Sequence, residues 1–215
     1  MERLIRNAAQ AASLSAKSDR KPRCYGRRMA SGEPGTSETG TTVTFRRARL
    51  EDVDFLVDLV THDEVEPYLA AVGSKGHDEM RADVERSNAE PDAFGVFVIE
   101  VGGERAGTMR FERVNARSRI AHLGGLAVHP GFRGRRVADE AARAFQRHLF
   151  AELSFHRLQL EVYGFNERAT SHAERVGFVR EGVRRKAYWR EGEWVDGVLF
   201  GLVVEDLEDV ASGSG

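Results

Sequence analysis

One stretch, residues 121–138, constrains the fold more than any other part of this chain. It reads A-H-L-G-G-L-A-V-H-P-G-F-R-G-R-R-V-A, an apolar strand that passes through a Pro/Gly turn into an arginine-rich loop and then a helix. The start of a helix leaves backbone N–H groups without intrahelical partners and carries the positive end of the helix dipole. Together with the positive charges of Arg133, Arg135 and Arg136, this order of elements predicts a site for a phosphate or diphosphate group.

Two common phosphate-binding motifs do not fit this loop. The Walker pattern requires Gly-Lys-Ser/Thr at the start of the helix, and the dinucleotide fingerprint requires three spaced glycines. Neither is present here. The stretch therefore predicts a diphosphate site of another kind.

The residues that follow predict a parallel βαβ unit. Apolar residues recur at helical spacing from residue 135 to about residue 152, and Leu158, Leu160 and Val162 then alternate as in a strand. Two strands joined by a helix with short connections run parallel, with a right-handed crossover. The arginine-rich loop is thus expected at the carboxyl end of the first parallel strand, where open α/β sheets bind ligands.

The rest of the domain predicts antiparallel strands with helices inserted after the first strand. Predicted strands cover residues 43–48, 93–101, 105–114, 118–128, 181–190 and 194–204, and the predicted helical segments are 52–60, 64–71 and 77–87. Gly102 and Gly103 predict a hairpin turn. A further short helix is predicted to begin after the capping residue Asn166 and to end at Gly177 in the left-handed conformation.

The two ends of the chain differ in composition from the middle. Residues 1–42 are basic and then rich in Gly, Ser and Thr, and residues 206–215 are acidic and glycine-rich. We expect disordered tails at both ends and one domain over residues 43–205. For the first tail two other interpretations stay open, an over-extended gene start with the initiator at Met29 and an organelle-targeting presequence.

Charge and composition exclude several classes of function. The net charge of -2 argues against nucleic acid as the main partner. Cys24 is the single cysteine, which excludes an intrachain disulfide and argues against a cysteine-ligated zinc site, so no metal is expected. No apolar run approaches the length of a membrane span, and we expect a cytoplasmic protein with no membrane partner.

Two motifs resemble those of the GNAT-superfamily N-acetyltransferases. The family's strand ends in Leu-x-Val-x-Pro and its acetyl-CoA loop reads Arg/Gln-x-x-Gly-x-Gly/Ala, which Leu126-Ala127-Val128-His129-Pro130 and Arg133-Gly134-Arg135-Arg136-Val137-Ala138 follow. Asn166, Ala169 and Gly177-Phe178 match the second motif, Asn-x-x-Ser/Ala and a later Gly-Phe. Residues 181–184 and the 192–196 hairpin resemble the RimJ/RimL-type branch. One position departs, because Arg136 stands where the loop carries its second glycine.

The resemblance implies a mixed α/β (α+β) fold, with a mainly antiparallel central sheet, a parallel βαβ unit at the cofactor cleft and helices on both faces. It also implies direct transfer of the acetyl group from the cosubstrate acetyl-CoA to a primary amine, through a tetrahedral intermediate. The amine is either a protein N-terminal α-amine or a small amine. The residues that it implies for cofactor binding are Leu126, Ala127, Val128, Arg133, Gly134, Arg135, Arg136, Val137, Ala138 and Asn166. A homodimer stays open.

His122 is the candidate catalytic base, because it stands where the superfamily often carries a glutamate. Counting by two from Val128 places His122 on the same face of the strand as Val128. A neutral imidazole, with an ordinary pKa near 6.5, suits proton removal from an ammonium group at cellular pH. The alternative is a half-buried strand histidine with a structural role.

Other roles are less defined by the sequence. Many GNAT enzymes carry a tyrosine as general acid where this chain has Ala173, so no acid is assigned, and Thr170, Ser171 and Tyr188 are the candidates. Two glutamates, Glu64 and Glu66, could attract an ammonium group or form a solvated acidic face.

Two alternatives to an enzyme stay open. A non-catalytic CoA-binding regulatory module would agree with Arg136 in place of glycine and with the missing general acid. A nucleic-acid-associated protein would use the basic arm at the start of the chain.

Overall fold

The computed structural model describes residues 42–69 and 76–207. Of the predicted first tail only Thr42 lies among them, and residues 208–215 of the predicted second tail lie outside. At the other end, residues 204–207 form a helical turn, and the carboxylate of Asp206 accepts a hydrogen bond from the backbone N–H of Val203 at 2.9 Å.

Within the described residues, seven strands form one sheet in the order β1-β2-β3-β4-β5-β7-β6. The strands are β1 Val43–Arg47, β2 Phe94–Val101, β3 Glu104–Asn115, β4 Ile120–Val128, β5 Arg157–Tyr163, β6 Val179–Arg190 and β7 Glu193–Val203. The α-helices are α1 Val53–Val60, α2 His77–Ala89, α3 Val137–Ala151 and α4 Glu167–Arg175, and short 3-10 helices cover Leu50–Asp52, Glu66–Tyr68 and Pro130–Phe132.

The pairing of the strands confirms the predicted mixed sheet. Strands β4 and β5, which α3 connects, pair in parallel, and the other neighbouring strands pair antiparallel. The predicted turn at Gly102 and Gly103 forms with φ values of 62° and 88°, and Gly177 ends α4 with a φ of 99°. Glycine tolerates these positive φ values because it has no Cβ.

Helices pack on both faces of the sheet, because side chains of β2 alternate between two cores. Val96 and Val98 pack in a cluster with residues of α1 and α2. Phe97 and Ile99 point to the opposite face, where they pack with residues of α3 and α4. The predicted two-sided architecture is therefore confirmed.

Helix α3 is fixed to the sheet by a continuous buried stripe. Its residues Val137, Ala141, Phe145 and Leu149 are buried. The Phe145 ring lies 5.0 Å from the ring of Phe97, measured between centroids. Burial of one such large apolar side chain contributes about 1.5–3 kcal/mol. This packing holds the start of α3 at a fixed position beside the end of β4.

One predicted helix was wrong in the part that the structure describes. Residues 64–69 were expected to belong to a helix over 64–71, but they contain only the 3-10 turn Glu66–Tyr68. Pro67 explains the difference, because proline lacks the N–H that an α-helix requires and disfavours helical backbone in the residue before it.

Candidate active site

A cleft opens where the two parallel strands separate. The described register of β4 and β5 covers only Ile120 to His122 against Arg157 to Gln159. Beyond these pairs lies a cavity of about 1220 Å³, lined by residues of β4, β5, α3, α4 and the loop before α3. The predicted site residues line this cavity with one exception, Arg135, which is exposed and lies outside its lining.

The loop before α3 presents backbone donors. None of the backbone N–H groups of residues 134–139 donates a hydrogen bond to another described residue. Gly134 has a φ of 79°, and Arg136, which precedes the helix, has a φ of 57°. Two left-handed residues so close together turn the chain sharply into α3. The resulting group of unpaired N–H donors at a helix start suits a diphosphate.

Arg136, which stands where the family loop carries its second glycine, has a left-handed backbone. A glycine takes this conformation without strain, whereas a side chain with a Cβ is disfavoured there. Arg136 nevertheless adopts it, and its side chain is exposed at the edge of the cavity. Arg136 therefore has the kind of backbone conformation for which glycine is best suited.

Arg133 is engaged with the protein itself. Its guanidinium pairs with the Glu64 carboxylate at 2.7 Å and donates to the Glu64 carbonyl at 2.9 Å. This contact ties the loop before α3 to the turn that follows α1. Glu64 is consequently paired with Arg133, and no local sequence pattern indicates a contact across 69 positions.

The prediction that His122 and Val128 lie on the same face of β4 was wrong. On β3, Thr108 and Arg110 are two positions apart, but their partners on β4, Ala127 and Gly124, are three positions apart. This extra residue is a β-bulge, and Gly125 within it has a φ of 61°. Because the bulge adds one residue to β4, side chains two or more alternations apart across it lie on the opposite face from the one that regular alternation predicts.

Burial identifies the two faces of β4. Ala121, Leu123, Leu126 and Val128 belong to the core cluster beneath α3. His122 alternates with Ala121 and Leu123, so its side chain points to the opposite face, on which α1 and α2 lie. It is half-buried and lines the cavity.

Charged groups from three strands surround His122. Burial lowers the pKa of His122 below its ordinary value of 6.5, Glu161 and Glu112 act to raise it, and Arg110 and Arg184 act to lower it. The net direction is downward, because burial is the largest cause. His122 is therefore a neutral imidazole at cellular pH, as a base must be.

Glu161 is a residue of this cluster that sequence reasoning missed. Its side chain is 10% exposed, and one oxygen, Oε2, accepts from Arg184 Nη1 at 3.1 Å. The other, Oε1, is buried without a hydrogen-bond partner in the described residues. The carboxylate lies against Gly197, where a Cβ would collide with it. A charged residue between the apolar Leu160 and Val162 was the available signal.

Tyr188 is the one candidate general acid of the three that lines the cavity. Its pKa is raised above 10.0, first by burial and then by the neighbouring Glu161 carboxylate. Tyr188 thus stays protonated over the physiological range. Thr170 and Ser171 are absent from the lining.

Asn166 caps α4 as predicted. Its side-chain oxygen accepts from the backbone N–H of Ala169 at 3.0 Å, and the residue is 7% exposed. Asn166 also lines the cavity at the carboxyl end of β5. Its amide nitrogen is available for a second bond, because the cap uses only the oxygen.

A cluster of charged side chains joins the first turn of α3 to α4. Asp139 accepts from His172 Nδ1 at 2.8 Å and from Arg175 Nε at 2.7 Å. These bonds lower the pKa of Asp139 from 3.8 to about 2, and the bond from Arg175 is the largest cause. The group fixes the wall of the cleft beside the loop that precedes α3.

No cluster of three or more His, Cys, Asp or Glu side chains within residues 42–69 and 76–207 could hold a metal ion. In the same part of the chain, every helix is too short or too polar to cross a membrane.

Residues 42–179, more than half of the chain, match the family model described as the Acetyltransferase (GNAT) domain. The chain belongs to the GNAT acetyltransferase family. It is an acyl-CoA-dependent N-acetyltransferase, in agreement with the predicted enzyme class.

Individual relatives agree with the family assignment. The chain is 28% identical over 172 residues to an SPbeta prophage-derived uncharacterized N-acetyltransferase, YokL, of Bacillus subtilis (strain 168), covering 79% of this chain and 94% of YokL. The fold is similar to that of RimL, a ribosomal L7/L12 alpha-N-protein acetyltransferase in complex with CoA, with a TM-score of 0.70, 18% identity and coverage of 81% and 98%.

A second solved structure shares the fold to the same degree. It is the spermidine N-acetyltransferase from Vibrio cholerae in complex with CoA and spermine, with a TM-score of 0.70, 21% identity and coverage of 76% of this chain and 96% of that one. At these identities the two structures establish the fold, and the acceptor of this enzyme has to be argued from its own residues.

Proposed function

We propose that this enzyme transfers the acetyl group of acetyl-CoA directly to a primary amine, and that it belongs with the RimJ/RimL-type enzymes. The observation that carries the proposal is the cleft between β4 and β5, which has unpaired backbone donors at one end and a neutral histidine on its floor. The motifs of the chain in residues 181–184 and 192–196 support the assignment to the RimJ/RimL-type branch.

The residues present fit a CoA molecule. The diphosphate would bind the N–H groups of residues 134–138 and the exposed guanidinium of Arg136. The pantetheine arm would lie along the unpaired edge of β4 at Leu126, Ala127 and Val128, and the Asn166 amide would donate to it. Bound there, acetyl-CoA supplies an activated thioester, whose carbonyl carbon accepts the amine and whose thiol leaves.

His122 supplies the proton acceptor. An ammonium group has to lose a proton before its nitrogen can attack, and His122 is neutral and half-buried in the cleft. A backbone N–H between Leu126 and Val128 would stabilise the oxygen on which negative charge develops. Tyr188 stays protonated beside Glu161 and could return a proton to the leaving thiolate.

The acceptor class is a primary amine. RimL is named for a protein α-amine and the Vibrio enzyme for spermidine, so relatives with this fold act on both a protein N-terminus and a small amine. The alternative of a non-catalytic module depended on Arg136 in place of glycine and on the missing general acid. Arg136 has a left-handed backbone, which glycine adopts readily, and Tyr188 lines the cavity as a candidate acid, so neither ground favours the module.

The test is acetyl-CoA turnover by the purified full chain, measured as released thiol, over peptides with varied first residues and small amines. We expect His122→Ala to lower kcat by about 10²- to 10⁴-fold and to remove the acid limb of the pH profile. His156→Ala is the matched control, because His156 lies outside the cavity. Calorimetry that detects no acetyl-CoA binding at millimolar ligand would overturn the proposal.

A further inference from the structure

Arg110 is a cation on the floor of the cleft whose ion pair, with Asp83, is long. It lies on β3 opposite Gly124, and its side chain runs over the bulge, where a Cβ on Gly125 would approach the Arg110 Cγ to 3.3 Å. Arg110 donates no hydrogen bond to another described residue, and the carboxylate nearest to it, that of Asp83, is 3.7 Å away. Its side chain is 34% exposed and lines the cavity.

Three of the carboxylates around the same cavity have close arginine partners. Glu64 pairs with Arg133 at 2.7 Å, Glu112 with Arg86 at 3.0 Å and Glu161 with Arg184 at 3.1 Å. An acceptor with several ammonium groups requires several carboxylates that lack a competing cation. Next to His122 the arrangement differs, because Glu112 and Glu161 each pair closely with an arginine whereas Arg110 has only the longer contact with Asp83.

The spacing of Arg110 and His122 suits a small bifunctional molecule. Glu112 is the cross-strand partner of His122, so Arg110, two residues before Glu112, is the diagonal neighbour of His122. Diagonal neighbours on one face lie about 7–8 Å apart and are within reach of long side chains. A guanidinium binds a carboxylate through two parallel hydrogen bonds. An amine one carbon away from that carboxylate would then lie beside the imidazole.

We infer that the acceptor is an aminocarboxylate, such as a free α-amino acid, whose carboxylate binds Arg110 while its amine is held next to His122. On the other side of His122, only one oxygen of Glu161 is engaged by Arg184, and the other, Oε1, has no hydrogen-bond partner in the described residues and provides the negative charge for a single ammonium group. The inference rests on the proposed function and specifies its substrate. Arg110 is thereby a specificity-determining residue, which selects against polyamines.

The experiment compares three acceptors with the full chain and acetyl-CoA: α-amino acids, the corresponding amines without the carboxylate, and spermidine. We expect kcat/KM to be at least about 10-fold higher for the amino acids than for the other two. Arg110→Met should raise KM for amino acids by about 10- to 100-fold, with a smaller effect on kcat, and should leave KM for the decarboxylated amines unchanged. Arg110→Lys should retain part of the affinity.

Arg113→Met is the matched control, because Arg113 is exposed on the same strand and lies outside the cavity lining. The pH profile gives an independent readout. The groups that face His122 are Arg110 and Glu112 from β3, Glu161 from β5 and Arg184 from β6. Removing the positive charge of Arg110 should move the acid limb of kcat/KM to higher pH, whereas Arg113→Met should not move it.

The outcomes separate this inference from the proposed function. Preferred turnover of spermidine or of peptide N-termini, with KM unaffected by Arg110→Met, would overturn the aminocarboxylate acceptor and leave the acetyltransfer intact. Failure to acetylate any amine would overturn both. If Arg110→Met does not fold, Arg110→Lys carries the test, because it retains the charge and loses the paired hydrogen bonds.

Discussion

His122 and Val128 lie on opposite faces of β4, because the strand contains a bulge between them. Val128 packs in the core beneath α3, and His122 lines the cleft on the face of α1 and α2. Gly125, with a φ of 61°, is the residue in the bulge that requires a left-handed backbone. The bulge thus allows one strand to supply apolar side chains to the core along its whole length and still present an imidazole to the cleft.

Gly125→Ala should destabilise the enzyme and lower its activity. A Cβ at this φ is strained, and it would lie 3.3 Å from the Arg110 Cγ. We expect the free energy of unfolding to fall by about 1–2 kcal/mol and kcat/KM to fall with it. The measurements are urea unfolding and amine acetylation.

Gly124→Ala is the control for this change. A Cβ on Gly124 would meet only the Arg110 Nε, at 3.9 Å, and Gly124 has no positive φ. Equal losses of stability in the two variants would show that the bulge does not depend on the left-handed conformation of Gly125.

Elements with a local pattern were predictable from the sequence. The stripe of α3, the turn at Gly102 and Gly103, and the cap formed by Asn166 each depend on residues a few positions apart. The long-range features were not predictable in the same way. The bulge at Gly125 and the pair of Arg133 with Glu64 depend on neighbouring strands and turns that the periodicity of a single segment does not describe.

The site shows the same division. The motifs located the loop before α3, and its residues line the cleft apart from Arg135. By contrast, Glu161 and Arg110 lie on separate strands and meet His122 only when the sheet has formed. Alternation indicates that such a charged residue faces away from the core, but it does not indicate which other side chains it will face.

Replacing Arg136 should separate the effect of its backbone from the effect of its charge. Arg136 has a φ of 57°, so its Cβ is strained. Arg136→Gly and Arg136→Ala both remove the charge, but only glycine relieves the strain. We expect Arg136→Gly to be more stable than Arg136→Ala by about 1 kcal/mol in chemical denaturation. Equal stabilities would contradict a left-handed Arg136.

Asp139→Asn should destabilise the enzyme at neutral pH, and the loss should shrink in acid. Asp139 bonds to both His172 and Arg175, and an asparagine keeps the size of the side chain and removes its charge. We expect a loss of about 1–3 kcal/mol in the free energy of unfolding at pH 7. Glu152→Gln is the control, because Glu152 is exposed and its ion pair with His148 contributes little.

The pH dependence of this loss follows from the pKa of Asp139, which folding lowers from 3.8 to about 2. A carboxyl group with a lowered pKa stabilises the folded state at every pH above its unfolded value. Between about pH 4 and pH 2 the unfolded chain and then the folded chain bind the proton, so the stabilisation disappears. Unfolding curves for the enzyme and for Asp139→Asn should therefore converge as the pH falls through this window. A difference that stays constant down to pH 2 would show that Asp139 stabilises the joint of α3 and α4 by packing and not by charge.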